Sequence, residues 1–288
     1  MRVRKALVLA AGFGTRFLPA TKALPKELLP IVDRPVIHYV VEEAVAAGLE
    51  QVIIVTAAGK GAIEDYFGSA PELERVLEAR GDGKALEEVR RSARLAQVAY
   101  VRQPGRLGIG HAVLCARAAV GDEPFALFFP DDIIFASEPA IGQLLRAFEG
   151  CGSSVLAVER VPSQEISSYG VIRAEPAGPR LHRVLGLVEK PPARKAPSDL
   201  AIVGRYVLTP QVFDALAATP PDGRGEIQLT DALGLLLQRQ PLYAYEYEGE
   251  RHDTGRPLGL LKASLAVALR RPDLAEELRS YLRRCNLG

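Results

Sequence analysis

Apolar residues fall along this chain in two alternating rhythms. Short unbroken runs of strand-forming residues recur at Ala6-Leu7-Val8-Leu9-Ala10, Val52-Ile53-Ile54-Val55, Val98-Ala99-Tyr100-Val101 and Phe125-Ala126-Leu127-Phe128-Phe129. Between them lie stretches with helical spacing, the clearest being Val36, Ile37, Val40, Val41, Ala44 and Val45 on one stripe. The pattern predicts a helix opened by Asp33-Arg34-Pro35 with Pro35 at its first position, stopped at Gly48, then a strand over 51–56. Strand, helix, strand in that order implies parallel strands joined by crossovers. Residues 60–94 are charge-rich and read as a solvated insertion of two amphipathic helices split by Gly81-Asp82-Gly83. A helix over 112–119, the fully apolar strand over 125–129, a helix over 141–148 and a strand over 154–158 continue the alternation.

From Tyr169 the rhythm changes. Strand-like pieces at 171–173, 184–188 and 202–208 are separated by Pro-containing loops, which predicts an antiparallel region laid on the same sheet. Helices over 211–218 and 230–239, a strand over 242–247 and two closing helices follow, one from near Pro257 and one over 273–284. The fold class is α/β: a central mixed, mostly parallel sheet flanked by helices, with a smaller antiparallel region.

Composition narrows the class without naming it. The 288 residues are 48% hydrophobic and 25% charged, enough apolar material for a sizeable core without disulfide staples. The net charge of +1 gives no electrostatic case for a nucleic-acid partner. Cys115, Cys151 and Cys285 show no metal-binding spacing, which fits free thiols in a cytoplasmic protein. Arg2, Arg4 and Lys5 before an apolar run imitate a signal peptide, but Gly12 to Arg16 cut that run short, and no stretch is long enough for a membrane span.

Chemistry concentrates where apolar runs stop. After the first strand comes Ala11-Gly12-Phe13-Gly14-Thr15-Arg16, running on to Lys26. Glycines at the carboxyl edge of a sheet let backbone N–H groups approach an anion closely, and Arg16 and Lys26 supply charge suited to phosphate oxygens. A polyphosphate cradle and an ordinary solvated turn are both consistent with this segment alone. Asp131 and Asp132 follow the most apolar strand, a position that suits either a hard cation or a turn cap. Asp253 follows the strand predicted over 242–247; were that strand a neighbour of the one over 125–129, Asp131 and Asp253 would face one metal from two sides. Gln103 has the amide needed to read a pyrimidine edge, and Gly108 and Gly110 permit close approach. His111 reads as a structural residue at a helix start. Glu189 suits a polyol and Lys190 a phosphate, a surface ion pair being the alternative. There is no Gly-x-x-x-x-Gly-Lys-[Ser/Thr] loop or Gly-x-Ser-x-Gly elbow, and Phe17 replaces the third glycine of a dinucleotide fingerprint.

Taken together, the run from Ala10 through Thr21-Lys22-Ala23-Leu24-Pro25-Lys26-Glu27 resembles the signature of the sugar-nucleotide pyrophosphorylases, as do Leu107 to Ala116, Pro130-Asp131-Asp132, Val188-Glu189-Lys190-Pro191, Glu226-Ile227-Gln228-Leu229-Thr230-Asp231 and His252-Asp253-Thr254-Gly255. The run Ile202-Val203-Gly204-Arg205-Tyr206-Val207 is similar to the uridylyl branch of that family. The resemblance implies a Rossmann-like nucleotidyltransferase fold and Mg²⁺-dependent transfer of UMP from UTP to glucose 1-phosphate, giving UDP-glucose and pyrophosphate. It implies that Gly12, Gly14, Thr15, Arg16 and Lys26 hold the nucleotide phosphates and that Ala11, Gln103 and Gly108 read the base. Asp131 and Asp253 would bind Mg²⁺. Gly170, Glu189 and Val203 would hold the sugar ring, with Lys190 on its phosphate. It divides one domain into a nucleotide half (1–160), a sugar-phosphate half (161–256) and C-terminal helices (257–288). In those helices Leu274, Leu278 and Tyr281 are candidate contacts of a homodimer or homotetramer. Two departures are Phe17, where Met is more familiar, and Asp222-Gly223-Arg224-Gly225 before Glu226. The nearest alternative is the same reaction with a thymidine nucleotide.

Overall fold

The computed structural model describes residues 2–285; Met1 and the last three residues of the 257–288 segment lie outside the described residues. In chain order the strands are Lys5–Leu9 (β1), Pro30–Ile31 (β2), Arg34–Pro35 (β3), Gln51–Thr56 (β4), Gln97–Arg102 (β5), Phe125–Phe128 (β6), Asp132–Phe135 (β7), Val155–Arg160 (β8), Gly170–Gly178 (β9), Leu181–Glu189 (β10), Leu200–Leu208 (β11), Tyr243–Glu246 (β12) and Glu250–Asp253 (β13). The α-helices are Val36–Ala46 (α1), Gly61–Phe67 (α2), Pro71–Arg80 (α3), Gly83–Arg94 (α4), Ile109–Cys115 (α5), Arg117–Val120 (α6), Ala140–Cys151 (α7), Val212–Ala218 (α8), Leu229–Leu237 (α9), Pro257–Arg270 (α10) and Ala275–Arg284 (α11).

Among the described residues, nine strands form one sheet in the order β5-β4-β1-β6-β11-β8-β12-β10-β9. The four on one side, β5, β4, β1 and β6, are parallel, as the alternation of strand and helix requires. Beyond β6 the sheet turns mixed: β11 runs antiparallel to both β6 and β8, β12 is parallel to β8, and β10 and β9 form an antiparallel hairpin at the far edge. The sheet is a wall between two cores, and strand alternation divides residues between them. Phe125 and Leu127 pack with α5, α8 and α9 on one face, while Ala126 and Phe128 pack with α1 and α7 on the other. Each fully buried Leu or Phe contributes roughly 1.5–3 kcal/mol.

The structure departs from the sequence pattern at several ends. Arg34–Pro35 pairs with Pro30–Ile31, so Pro35 is the residue before α1 and not its first helical residue. The helix expected over 112–119 begins three residues earlier and is interrupted at Ala116, giving α5 and α6. A separate antiparallel pair, β7 with β13, is absent from the sequence reading. Strand β13 is Glu250-Arg251-His252-Asp253, wholly polar, so no alternation marks it. No described helix is long and apolar enough to cross a membrane, and the three cysteines are free thiols.

Candidate active site

The parallel strands deliver their loops to one edge, as open α/β sheets do. Strand β1 ends at Leu9, and the Ala10 N–H still bonds the Val55 carbonyl at 2.8 Å, fixing the departure of the loop. Gly14 adopts φ +69, and a Cβ there would lie 2.9 Å from the Lys26 Cβ. Glycine is therefore what allows the loop to lie against the Lys26 stem. The Thr21 hydroxyl donates to the Gly14 carbonyl at 2.8 Å and closes the turn. Beneath, Glu27 and Lys60 form a buried pair at 2.7 Å, 1% and 6% exposed. Burial pushes the Glu27 carboxyl up and the Lys60 ammonium down.

A cleft of about 480 Å³ opens above this floor. Its lining includes Ala11, Gly12, Gly14, Thr15 and Lys26 from the first loop, Gln103 and Gly108 from the β5–α5 loop, Asp131 and Lys190. These are nine of the residues singled out from sequence, drawn from four separate stretches of the chain. Arg16 does not line the cleft, although its charge reaches Asp131 and Lys26. Phe13, Arg106, Arg224, Glu226 and Gln228 also line it, and the sequence reading gave none of these side chains a role. Arg106 donates from Nε to the Ala11 carbonyl at 3.0 Å, with its guanidinium 3.6 Å over the Phe13 ring.

Two loops share one wall of the cleft. The Gly110 N–H donates to Ile227 O at 2.8 Å and the Ile227 N–H to Leu107 O at 2.8 Å. A Cβ on Gly108, at φ +95, would lie 2.7 Å from Ile227 O, so these backbones meet directly. The Asp222 carboxylate pins the second loop by accepting from Arg224 N, Glu226 N and Gln228 Nε2. The unfamiliar 222–225 stretch is thus a tied turn. Gln103, 5% exposed, has its Nε2 2.9 Å from His111 Nδ1 and 3.3 Å from the Gly108 carbonyl.

The carboxylates meet by a route other than the expected one. In the sheet β6 and β12 are separated by β11 and β8, so they are not neighbours. Instead β7 and β13 pair with Asp132 opposite Asp253, and the Thr254 N–H and hydroxyl donate to the Asp131 carbonyl at 2.7 and 2.9 Å. A Cβ built on Gly255 would lie 2.8 Å from Asp131 Oδ2 and 3.0 Å from Asp253 Oδ1, so the two carboxylates converge on one spot. Two hard oxygen donors brought this close suit Mg²⁺, which usually takes one or two protein carboxylates and completes its shell with water and phosphate oxygens. Burial alone would push the Asp131 carboxyl up, but the Lys26 ammonium 2.7 Å away holds it below the usual carboxylate range. Asp132 plays a different part: Oδ2 accepts from Gly204 N at 2.9 Å and Oδ1 from Arg251 Nε at 2.6 Å, so it fastens β11 and β13 to the turn.

Behind that turn sits Arg205, fully buried. It forms an ion pair with Glu43 at 2.7 Å and donates to the carbonyls of Phe129, Gly204 and Asp132, gripping the segment that presents Asp131 from both ends. Its only sequence signal was its place in the Ile202 to Val207 run.

Gly170 and Glu189 meet Lys190 at the end of β10, beside the cleft lining, whereas Val203 lies apart from them. Glu189 ends β10; Oε2 accepts from the Thr230 hydroxyl and Oε1 from Lys190 Nζ, each at 2.6 Å. A Cβ on Gly170 would lie 3.3 Å from Glu189 Oε2, which puts that glycine against the same carboxylate. Lys190 is a non-glycine residue at φ +44, a strained backbone just past the end of β10, and its ammonium lies on the Glu189 carboxylate. The Val203 side chain is buried in the core on the α1/α7 face and does not line the cleft.

Comparison with known proteins agrees with this architecture. The family model described as nucleotidyl transferase matches residues 5–269. A UTP–glucose-1-phosphate uridylyltransferase of Bacillus subtilis (strain 168) is 48% identical, the match covering 98% of this chain and 96% of the relative. A UDP-glucose pyrophosphorylase solved with UDP-glucose aligns with TM-score 0.84 and 41% identity over 94% of this chain and all of that one. A UTP-bound enzyme of the same kind from Acinetobacter baumannii aligns with TM-score 0.92 and 39% identity over the full length of both. A glycine-floored cleft at the carboxyl edge of a mixed α/β sheet, with Asp131 in its lining and these relatives across the whole chain, places the protein in the nucleotidyl transferase family.

Proposed function

We propose that the protein transfers UMP from UTP to glucose 1-phosphate, releasing pyrophosphate and forming UDP-glucose. The observation that carries this reading is the convergence, in and around one cleft, of a glycine-floored loop with Lys26, an amide-bearing base wall, Lys190 and the Asp131–Asp253 pair. Full-length similarity to uridylyltransferases selects the substrates.

The second phosphate pKa of a sugar phosphate is about 6, so near neutral pH it is largely a dianion. One of its oxygens is therefore a ready nucleophile for the α-phosphorus of UTP, in line with the departing pyrophosphate. No protein nucleophile and no general base are needed. The residues hold two polyanions in contact against their repulsion and stabilise the charge that moves between them. Gly12, Gly14 and Thr15 present the loop to the polyphosphate, and Arg16 and Lys26 neutralise the leaving pyrophosphate. Lys190 orients the attacking phosphate, while Gly170 and Glu189 hold the sugar ring. Ala11, Gln103 and Gly108 line the base end. Asp131 and Asp253 would hold Mg²⁺, which supplies Lewis-acid stabilisation of phosphate oxygens. We place the nucleotide half in 1–160 and the sugar-phosphate half in 161–256. We further propose a cytoplasmic homodimer or homotetramer joined through the C-terminal helices, where Leu258, Leu261 and Tyr281 are more than half exposed.

The test is pyrophosphate release from UTP, dTTP, ATP and GTP, each with glucose 1-phosphate, with and without EDTA. Release with UTP far above the others, abolished by EDTA, is the expected result. Comparable release with dTTP assigns the thymidylyl reaction instead.

A further inference from the structure

We infer that His111 is a positioning residue that sets base selectivity by fixing which end of the Gln103 amide faces the cleft. This rests on the reading of Gln103 as a base contact. A primary amide carries two N–H donors on nitrogen and an acceptor oxygen, so its selectivity depends on which end meets the ligand. In this protein both N–H donors have partners inside the fold. The Gly108 carbonyl, 3.3 Å from Nε2, can only accept. His111 Nδ1, 2.9 Å from Nε2, takes the second proton. That places Nε2 inward, and the group Gln103 has left for a ligand is Oε1, which accepts no hydrogen bond among the described residues.

The consequence runs in both directions. For Nδ1 to accept, the ring must carry its proton on Nε2; the Cys115 sulfur, 3.7 Å from Nε2 and 3.8 Å from Nδ1, does not choose between the nitrogens, so the Gln103 contact sets the tautomer. An outward Oε1 set opposite N3 requires a base that donates at that position. Uracil and thymine carry an N–H at N3. Cytosine presents a lone pair there, and two acceptors facing each other lose a hydrogen bond and leave both groups unpaired in a nearly dry wall. His111 occupies the first turn of α5, whose start is tied to Ile227 through the Gly110 N–H, so its ring position is set by the scaffold. Without the Nδ1 acceptor, one Gln103 N–H has no partner and the inward orientation of Nε2 rests on Gly108 alone.

The experiment compares kcat/KM for UTP and for CTP, with glucose 1-phosphate, in the wild type, His111→Leu and His111→Asn. Asparagine can place an acceptor oxygen near the position of Nδ1; leucine has none. The expected result is a UTP:CTP ratio at least about tenfold lower in His111→Leu and within about threefold of wild type in His111→Asn. A ratio unchanged in His111→Leu, both nucleotides losing equally, overturns the proposal. So does a ratio that falls as far in His111→Asn. A second measurement needs no variant: nitrogen-15 NMR of the imidazoles in the wild type should show His111 neutral and protonated on Nε2, and protonation on Nδ1 overturns the assignment. Failure of the uridylyl reading is separate, since it appears as absent UTP turnover in the wild type.

Discussion

Asp131 illustrates how much chemistry one side chain carries when its neighbours come from distant parts of the chain. Its carboxylate faces Lys26 on one side and the Asp253 carboxylate across Gly255 on the other. Removing it takes away a preorganised charge, so Asp131→Ala should lose about 10²–10³ in kcat with the fold intact. Near-normal turnover in a folded variant would remove Asp131 from the metal site. The Lys26 contact also predicts a pH signature. Because the folded carboxyl is held below its unfolded value of about 3.9, the stability it contributes is complete above that pH. It is lost as pH falls through the lower, folded value. The melting temperature of the wild type relative to Asp131→Asn should thus be constant from pH 7 to 5 and shrink on further acidification; a difference that does not change with pH contradicts the pairing. On the sugar side, Lys190→Ala should raise KM for glucose 1-phosphate more than KM for UTP, read by steady-state kinetics with each substrate varied in turn. An equal effect on both would assign Lys190 to the nucleotide.

Elements, not single residues, decide whether these groups meet. The loops after β1 and β5 that line the cleft were legible because buried parallel strands are apolar, end abruptly, and are followed by glycine. The meeting of Asp131 with Asp253 was expected, but its route was not legible, because β13 is four polar residues and β7 follows β6 after only a short turn. Their pairing is held by tertiary contacts, Arg251 on the Asp132 carboxylate and Thr254 on the Asp131 carbonyl, while the buried Arg205, held by Glu43 and three carbonyls, fixes the turn itself. An arginine in a strand alternating with valine and tyrosine reads as a surface residue, and nothing local indicates that it lies at 0% exposure. Arg205→Met should destabilise the protein by about 3–5 kcal/mol, since the Glu43 charge is left buried and unpaired. Chemical denaturation measures this directly. A loss below about 1 kcal/mol would mean that Glu43 finds solvent or another partner. The double variant Arg205→Met with Glu43→Leu should recover part of the loss, because both charges are then gone. The 222–228 turn was equally hidden: its role follows from the Asp222 carboxylate accepting three hydrogen bonds, a geometry that composition does not encode.

At the scale of the molecule, the proposed nucleotide and sugar-phosphate halves are two regions of one hydrogen-bonded sheet. Strand β8 ends the first half in sequence, yet it lies between β11 and β12 of the second. Strand β11 in turn crosses back to pair with β6. Neither half can therefore leave without breaking strands of the other, and the cleft walls are coupled through the sheet that supports them. Two independent domains would melt separately, with UTP protecting only one. An interleaved sheet predicts a single cooperative transition whose midpoint rises with UTP alone and with UDP-glucose, each by mass action on the whole unit. Hydrogen exchange gives the sharper test. Amides of β6 and β8 from the nucleotide half and of β11 and β12 from the other should share one opening free energy, and saturating UTP should raise all four together. Protection of β6 without β12 would show that the halves open independently and that ligand binding on one side is not transmitted through the common sheet.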